Sequence, residues 1–249
     1  MSGLTASVLV PPLEFTGAFE THLTLTDLPE DGVGELSRFA VGRGIKLAHI
    51  VLDRGSVPSQ PMLTLSGHGA LTAQVEAAGS LSRDLTEAGF TVARVKVEAA
   101  PWNQDVPVDD EAAARLPGAM YFEHHVKVVL DGDARDGPLT ALVDRFGARL
   151  SRNARRRRAD GRAEWFATQR CRHVGLPAAG ARLDALVGAL THAGHAPAEV
   201  EREFVVLDNA PWVDDGWLEQ EGLSHELVPT ALASAGRGNE RTAERRRPR

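Results

Sequence analysis

The sequence predicts an α+β fold made of a tandem duplication of a ferredoxin-like unit, in which two four-stranded antiparallel sheets each carry helices on one face. Two observations support this prediction. The chain repeats itself, because residues 68–98 align without a gap on residues 173–203, with 11 identities in 31 pairs. Each half also places strand-like and helix-like segments in the order βαββαβ, which is the order of the split βαβ unit.

The first half begins with a strand in which apolar and polar side chains alternate, as in a sheet with one polar face. A short amphipathic helix follows, and Gly44 stands where a helix C-terminal glycine belongs. A longer apolar helix stripe ends at Gly89. The four predicted strands of this half cover residues 19–25, 46–52, 62–66 and 92–98.

The second half repeats these elements in the same order. Apolar residues at helical spacing between Leu139 and Leu150 predict its first helix, with Gly147 as the counterpart of Gly44. A second stripe ends at Gly194. After a first strand around residues 122–125, the predicted strands cover residues 149–155, 164–170 and 199–207.

These patterns divide the chain into two repeats, a linker and a tail. We expect the first repeat over residues 14–100 and the second over residues 119–212. Residues 101–118 are rich in proline and acidic side chains and are expected to link them. Residues 213–249 form a C-terminal segment that loses its apolar residues, so it is predicted to be largely disordered after about residue 226.

A tripeptide recurs at the end of each repeat. Ala100-Pro101-Trp102 follows the first repeat, and Ala210-Pro211-Trp212 follows the second. The sequence therefore suggests that each tryptophan packs over the end of its own sheet.

Candidate catalytic residues lie at matching positions of the two repeats. Side chains at i and i+2 in a strand share a face, so Glu20 and His22 lie together, as do Glu123 and His125. Histidines need little pKa tuning to act as general acid and base. A pseudo-twofold axis would bring the two pairs into one cleft between the repeats.

The same polar faces carry residues expected to bind a small anionic substrate, for example one that bears phosphate. The predicted substrate-binding residues are Lys46, Lys96, Glu98, Lys127, Arg149 and Glu203. The leading hypothesis is thus an acid–base enzyme without a cofactor, whose partner is a small anionic molecule.

Two other functions remain open, beside the simple alternative of a solvated sheet face. In one, His22, His125, Glu20 and Glu123 bind a divalent metal ion that serves an enzyme. In the other there is no reaction, and the paired repeats bind a small ligand or another protein.

Composition excludes several classes. Cys171 is the single cysteine, so neither an intrachain disulfide nor a zinc ribbon can form, and a cytoplasmic location is expected. No segment approaches the roughly 18 apolar residues of a membrane helix, so no membrane partner is expected. The net charge of −6, and an arginine run at residues 152–158 without aromatic residues, argue against nucleic-acid binding.

Overall fold

The computed structural model describes residues 13–131 and 137–218. The strands within these residues are β1 (Thr16–Leu25), β2 (Lys46–Leu52), β3 (Ser59–Ala70), β4 (Val92–Ala99), β5 (Tyr121–Leu130), β6 (Ala148–Arg157), β7 (Ala163–Arg172) and β8 (Glu199–Asp208). The α-helices are α1 (Gly32–Arg43), α2 (Leu71–Glu87), α3 (Asp110–Ala114), α4 (Gly137–Asp144) and α5 (Leu176–His192). A 3-10 helix, Pro211–Asp214, follows β8. The disorder predicted after about residue 226 lies outside the described residues.

The eight strands form one closed antiparallel barrel in the order β1-β3-β2-β6-β7-β5-β8-β4. Each repeat contributes four neighbouring strands, β4-β1-β3-β2 from the first and β8-β5-β7-β6 from the second. The predicted fold class, a tandem duplication of a ferredoxin-like α+β unit, is therefore confirmed. The two four-stranded sheets join at both edges, through β2–β6 and β4–β8 pairing, so part of each sheet edge is covered.

The helices cover the outside of the barrel. Helix α2 packs on β1, β3 and β4, and α5 packs on β5 and β7. Two clusters of buried apolar side chains fill the space between helices and sheet. The first is centred on the first repeat but includes Phe122, Ala179 and Phe204 of the second, and the other lies within the second repeat. Because side chains alternate along a strand, the opposite set of side chains points into the barrel, and this inner set is largely polar.

The predicted element boundaries hold where a glycine ends a helix and shift where the apolar pattern is ambiguous. Gly44 and Gly147 both take a left-handed conformation, with φ of 66° and 64°, and Gly44 directly follows α1 as predicted, whereas Gly147 lies three residues beyond α4. Helix α4 ends at Asp144, however, and Leu150 lies in β6. Because a single leucine is compatible with both the helical and the strand period, the sequence pattern wrongly predicted that the helix extends to Leu150.

The segment between the repeats is more ordered than a plain linker. It contains α3, whose first turn is capped by Asp109 accepting a hydrogen bond from the Ala112 amide at 2.7 Å. Val106 is buried against the first apolar cluster. The expectation that both repeated tryptophans pack over a sheet end is wrong, because Trp102 is 80% exposed and Trp212 is 47% exposed.

The chain after β8 closes one end of the barrel. We call residues 211–218 the C-terminal plug. Its Asp214 accepts a hydrogen bond from Gln60 at 3.1 Å, and its Trp217 donates from Nε1 to the Leu150 carbonyl oxygen at 3.1 Å. Both side chains are buried. In the described part of the chain, no helix has the length and apolar character needed to span a membrane.

Candidate functional site

The interior of the barrel holds a cavity of about 190 Å³ lined by both repeats. Strand alternation creates it. On β1 and β4, the paired residues His22 and Lys96 face the cavity, while the adjacent pair Leu23 and Val95 faces the apolar cluster outside. The same alternation on other strands adds further polar side chains, whereas β2 contributes the apolar Ala48, Ile50 and Leu52.

The first repeat builds a cluster around His22. Its Nε2 lies 2.7 Å from Glu98 Oε2 and 4.0 Å from Glu20 Oε2, and its Nδ1 lies 3.0 Å from Thr64 Oγ1. The register explains these contacts, because Thr64 on β3 pairs directly with His22, and Glu98 on β4 pairs with Glu20. The imidazole is therefore fixed at both nitrogens.

The second repeat builds the equivalent cluster around His125. Its Nδ1 lies 2.9 Å from Thr168 Oγ1, and its Nε2 lies 3.3 Å from Glu123 Oε1 and 3.5 Å from Glu203 Oε2. The strand pairing is also equivalent, since His125 pairs with Thr168 and Glu123 pairs with Glu203. The duplication thus creates two histidine–threonine–glutamate sets.

Carboxylates of each repeat also reach the histidine of the other repeat. The described residues contain two groups of three side chains whose possible metal-binding atoms lie within 4.8 Å of one another inside each group. One group is Glu20, His22 and Glu203, and the other is Glu98, Glu123 and His125. Each group combines a Glu-x-His pair with a glutamate from the opposite repeat. The predicted pairs do meet in one cavity, but they are divided between two groups.

One position breaks the symmetry of the two groups. Lys96 pairs with His22 across β1 and β4, whereas its counterpart, Glu201, pairs with His125. The Lys96 ammonium lies 2.5 Å from Glu98 Oε1 and 2.6 Å from Glu123 Oε1. The second group therefore already holds a cation, and a metal ion there would have to displace it.

Two buried arginines connect the cavity to the C-terminal plug. Arg170 donates to Glu123 Oε2 at 2.5 Å and to Asp214 Oδ2 at 2.6 Å. Arg94 donates to the same Asp214 oxygen at 2.8 Å and forms two hydrogen bonds to Asp208, at 2.6 and 2.9 Å. The buried charges at this end of the barrel compensate one another.

The charge network shifts the pKa values of neighbouring groups in the site in opposite directions. Burial by itself lowers the pKa of His125, but the carboxylates of Glu123 and Glu203 outweigh it and raise the pKa to about 10. Burial raises the pKa of Glu203, and the nearby Glu98 charge raises it further. Against their own burial, Lys96 holds the pKa of both Glu98 and Glu123 well below the usual range. An imidazolium and a carboxyl that takes up protons readily therefore lie 3.5 Å apart.

Only some of the predicted substrate-binding residues line the cavity. Lys46, Lys96, Lys127 and Glu203 line the cavity, whereas Arg149 does not. The Arg149 guanidinium donates instead to Asp144 at 3.1 Å and to the Ala148 carbonyl oxygen at 2.9 Å. Lys127 forms an ion pair with Glu199. Of the described cations that line the cavity, Lys46 is the one without an ion pair.

Sequence reasoning missed several residues of the site. Thr64 and Thr168 occupy equivalent strand positions beside the two histidines. The ungapped repeat alignment, extended back through the third strands, places Thr64 opposite Gln169 and so misses this pair by one residue. Arg94, Arg170 and Asp214 gave no such signal. Asp214 lies beyond the repeats, and its partners are 120 and 44 residues away in sequence.

Comparison with known proteins gives little guidance. No family model matches the chain, and no curated protein matches it.

Several solved structures are similar over most of their length but superpose poorly. The small subunit of acetolactate synthase from Thermotoga maritima is 14% identical, covering 78% of this chain and 98% of that one, with a TM-score of 0.29. The regulatory subunit of aspartate kinase from Thermus thermophilus is also 14% identical, with 71% and 95% covered and a TM-score of 0.30. Chlorite dismutase from Candidatus Nitrospira defluvii is 11% identical, with 77% and 92% covered and a TM-score of 0.28. The neighbours thus include regulatory subunits and an enzyme, and they do not decide between binding and catalysis.

Proposed function

We propose that the protein is an enzyme that transfers protons on a small molecule bound in the barrel interior. The observation that carries this proposal is the convergence of two histidine–threonine–glutamate sets, one from each repeat, on a single cavity. Threonine hydroxyls fix both imidazoles, so the groups are held in place before any substrate arrives.

Glu203 and His125 have complementary roles in this proposal. Glu203 takes a proton from the substrate, since burial and Glu98 make its carboxylate more basic than an exposed one. His125, charged at neutral pH, donates a hydrogen bond to the negative charge that develops on the substrate. His22 has its Nε2 occupied by Glu98 and is the second candidate for the acid–base role.

The ion pairs weigh against the anionic substrate that the lysines suggested. Lys96 and Lys127 are paired with glutamates, and Arg149 is paired with Asp144 outside the cavity. An anionic group, if the substrate has one, is left with Lys46. The proposal therefore rests on proton transfer and not on anion binding.

Deuterium exchange tests the proposal even when the final product is unidentified. The full chain is incubated in D2O with a panel of small carbonyl compounds that have acidic C–H groups, and mass spectrometry measures the deuterium they take up. We expect at least one compound to exchange, and Glu203→Gln to slow that exchange by about 100-fold or more. The control Glu76→Gln, at an exposed position on α2, leaves the rate unchanged. Equal rates in wild type and Glu203→Gln would contradict the proposal.

A second candidate is ligand binding without reaction. It is favoured by the ion pairs of the buried cations, such as Lys96 with Glu98 and Arg170 with Glu123. These pairs balance the charges of the cavity, so the polar lining can be explained without a catalytic role. A compound that raises the melting temperature equally in wild type and Glu203→Gln, and that never takes up deuterium, would select this candidate.

A further inference from the structure

The wall of the barrel has an opening beside the proposed catalytic groups. Strand β4 pairs with β8 as far as Ala99 opposite Phe204, and there β4 ends. Residues 199–203 of β8 continue beyond this point and pair with β5 alone among the described strands. Glu201 and Glu203 thus lie at an edge that no neighbouring strand covers.

The chain turns away from the opening instead of covering it. Asn103 holds the turn by donating from Nδ2 to the Ala18 carbonyl oxygen at 2.7 Å and accepting from the Ala18 amide at 3.0 Å. This arrangement leaves the Trp102 side chain 80% exposed. An exposed indole beside an opening to a polar cavity is available to a ligand.

A large groove lies outside this opening. It has a volume of about 1080 Å³ and is bounded by Trp102, by the start of α5 and by β8. Much of its lining is apolar or small, including Pro101, Leu176, Pro177, Gly180 and Ala181. Small-molecule sites of this size and lining commonly enclose an apolar body.

The groove and the interior cavity adjoin each other. Glu20, Glu201 and Glu203 line both of them. The interior, at about 190 Å³ and lined by charged side chains, suits a small polar group, whereas the larger groove could take an apolar ring system. A ligand that fills both spaces therefore has an apolar body outside and a small polar end inside.

The related opening in the second repeat supports this assignment. After Ala210-Pro211-Trp212 the chain enters the barrel, and Asp214 forms ion pairs with Arg94 and Arg170. After Ala100-Pro101-Trp102, the position that corresponds to Asp214 is Gln104, which bridges to Thr16. In the second repeat an acidic group fills the opening by binding two cations. The other opening is lined by four glutamates and by Arg202, and no described side chain forms a matching plug there.

We propose that the groove is the entrance and second subsite of the proposed enzyme, and that its ligand is an aromatic small molecule whose polar end donates hydrogen bonds. The aromatic body lies against Trp102 and the start of α5. The polar end, an amine or a hydroxyl, is held by Glu20 and Glu203, whose ligand oxygens lie within 4.8 Å of one another, because carboxylates accept hydrogen bonds. This assignment rests on the proposed function for the location of the reacting groups.

Three indoles that differ only in their polar end test the chemistry. Tryptamine, tryptophol and indole-3-propanoate are titrated into the full chain by calorimetry at neutral pH. We expect the amine or the alcohol to bind at least tenfold more tightly than the carboxylate, and the order of these two distinguishes a charged donor from a neutral one. Tighter binding of indole-3-propanoate, or no binding by any of the three, would overturn the proposal.

A matched pair of glycine substitutions on α5 tests the location. A Cβ added at Gly180 or at Gly188 meets no other atom within 4 Å, so neither position is closed to a side chain. Gly180 lines the groove and Gly188 does not. Gly180→Leu should weaken binding of the tighter indole at least tenfold, and Gly188→Leu should leave it unchanged. Equal effects of the two would place the ligand elsewhere.

The outcomes separate the two proposals. If deuterium exchange depends on Glu203 but Gly180→Leu does not change indole binding, the groove assignment fails and the proposed catalysis stands. If the indoles bind in the groove but no compound exchanges, the proposed catalysis fails and the groove assignment stands.

Discussion

His125 illustrates how the interior controls single residues. Its Nε2 lies 3.3 Å from a carboxylate oxygen of Glu123 and 3.5 Å from one of Glu203, while the Thr168 hydroxyl contacts its Nδ1. Such contacts favour the charged form, and they overcome the cost of burial. Protonation of this residue is therefore part of the folded state as well as of the proposed chemistry.

The raised pKa of His125 makes stability depend on pH. With a folded pKa of about 10 against 6.5 for an unperturbed histidine, the folded protein retains a proton that the unfolded chain has lost. The stabilisation is complete below about pH 6.5 and is lost as the pH rises through about 10. In this window the free energy of unfolding should fall by up to about 1.4 kcal/mol per pH unit.

Urea unfolding between pH 7 and 9.5 measures this effect. The difference in unfolding free energy between wild type and His125→Gln should shrink steadily with pH, while the difference for His192→Gln, an exposed control, stays flat. Parallel curves for wild type and His125→Gln would show that the imidazole is neutral in the fold.

The residue scale also separates what the sequence reveals from what it hides. The Glu-x-His pairs were found because strand period and repetition are local signals, and both pairs do face the cavity. Arg149 was placed with them on the same evidence, yet its long side chain reaches Asp144. Sequence spacing predicts the face of a strand, but not where a flexible side chain ends.

At the scale of elements, the C-terminal plug determines the closed end of the barrel. Asp214 is 1% exposed and connects Arg94, Arg170 and Gln60, which come from three different strands. Arg170 binds both Asp214 and Glu123, so the plug and the site belong to one network of ion pairs.

Removing the plug's charge should therefore be costly. Asp214→Asn leaves two buried guanidinium groups without their shared carboxylate, and we expect a loss of about 3 kcal/mol in unfolding free energy at pH 7. Against its own burial, Arg94 and Arg170 hold the pKa of Asp214 well below its usual range. The loss should then narrow as the pH falls below about 4, because the unfolded wild-type chain takes up a proton there that the folded protein binds only at lower pH.

Thermal and urea unfolding measure this loss, with Asp84→Asn as the control. Asp84 forms an exposed contact with Arg43 at 3.9 Å, so its replacement should change stability by less than about 1 kcal/mol. Equal effects of the two substitutions would mean that the plug adds nothing to the barrel.

For the whole molecule, closure joins two units that resemble independent domains in sequence. The sheets share backbone pairing at two seams, and Lys96 of the first repeat is bound by Glu123 of the second. Neither repeat can separate without exposing two sheet edges and breaking buried ion pairs. The two repeats should thus unfold together.

Calorimetry tests this cooperativity. Leu85→Ala removes a fully buried side chain of the first apolar cluster and should cost about 2–5 kcal/mol. We expect one transition in wild type and one, at lower temperature, in the variant. A second peak that stays at the wild-type temperature would indicate that the second repeat folds independently.

The sequence by itself determined the repeat, the order of its elements and the polar face of its strands, because period, glycine helix ends and internal identity are local properties. Tertiary structure alone decided that the two sheets close into one barrel, since pairing between β2 and β6 or β4 and β8 leaves no mark on either strand. Closure then turned two polar faces into one interior, paired most of its lysines and arginines with carboxylates, and left the groove beside Trp102 open. Charge balance at a buried site depends on distances between residues far apart in sequence, and only the folded chain sets those distances.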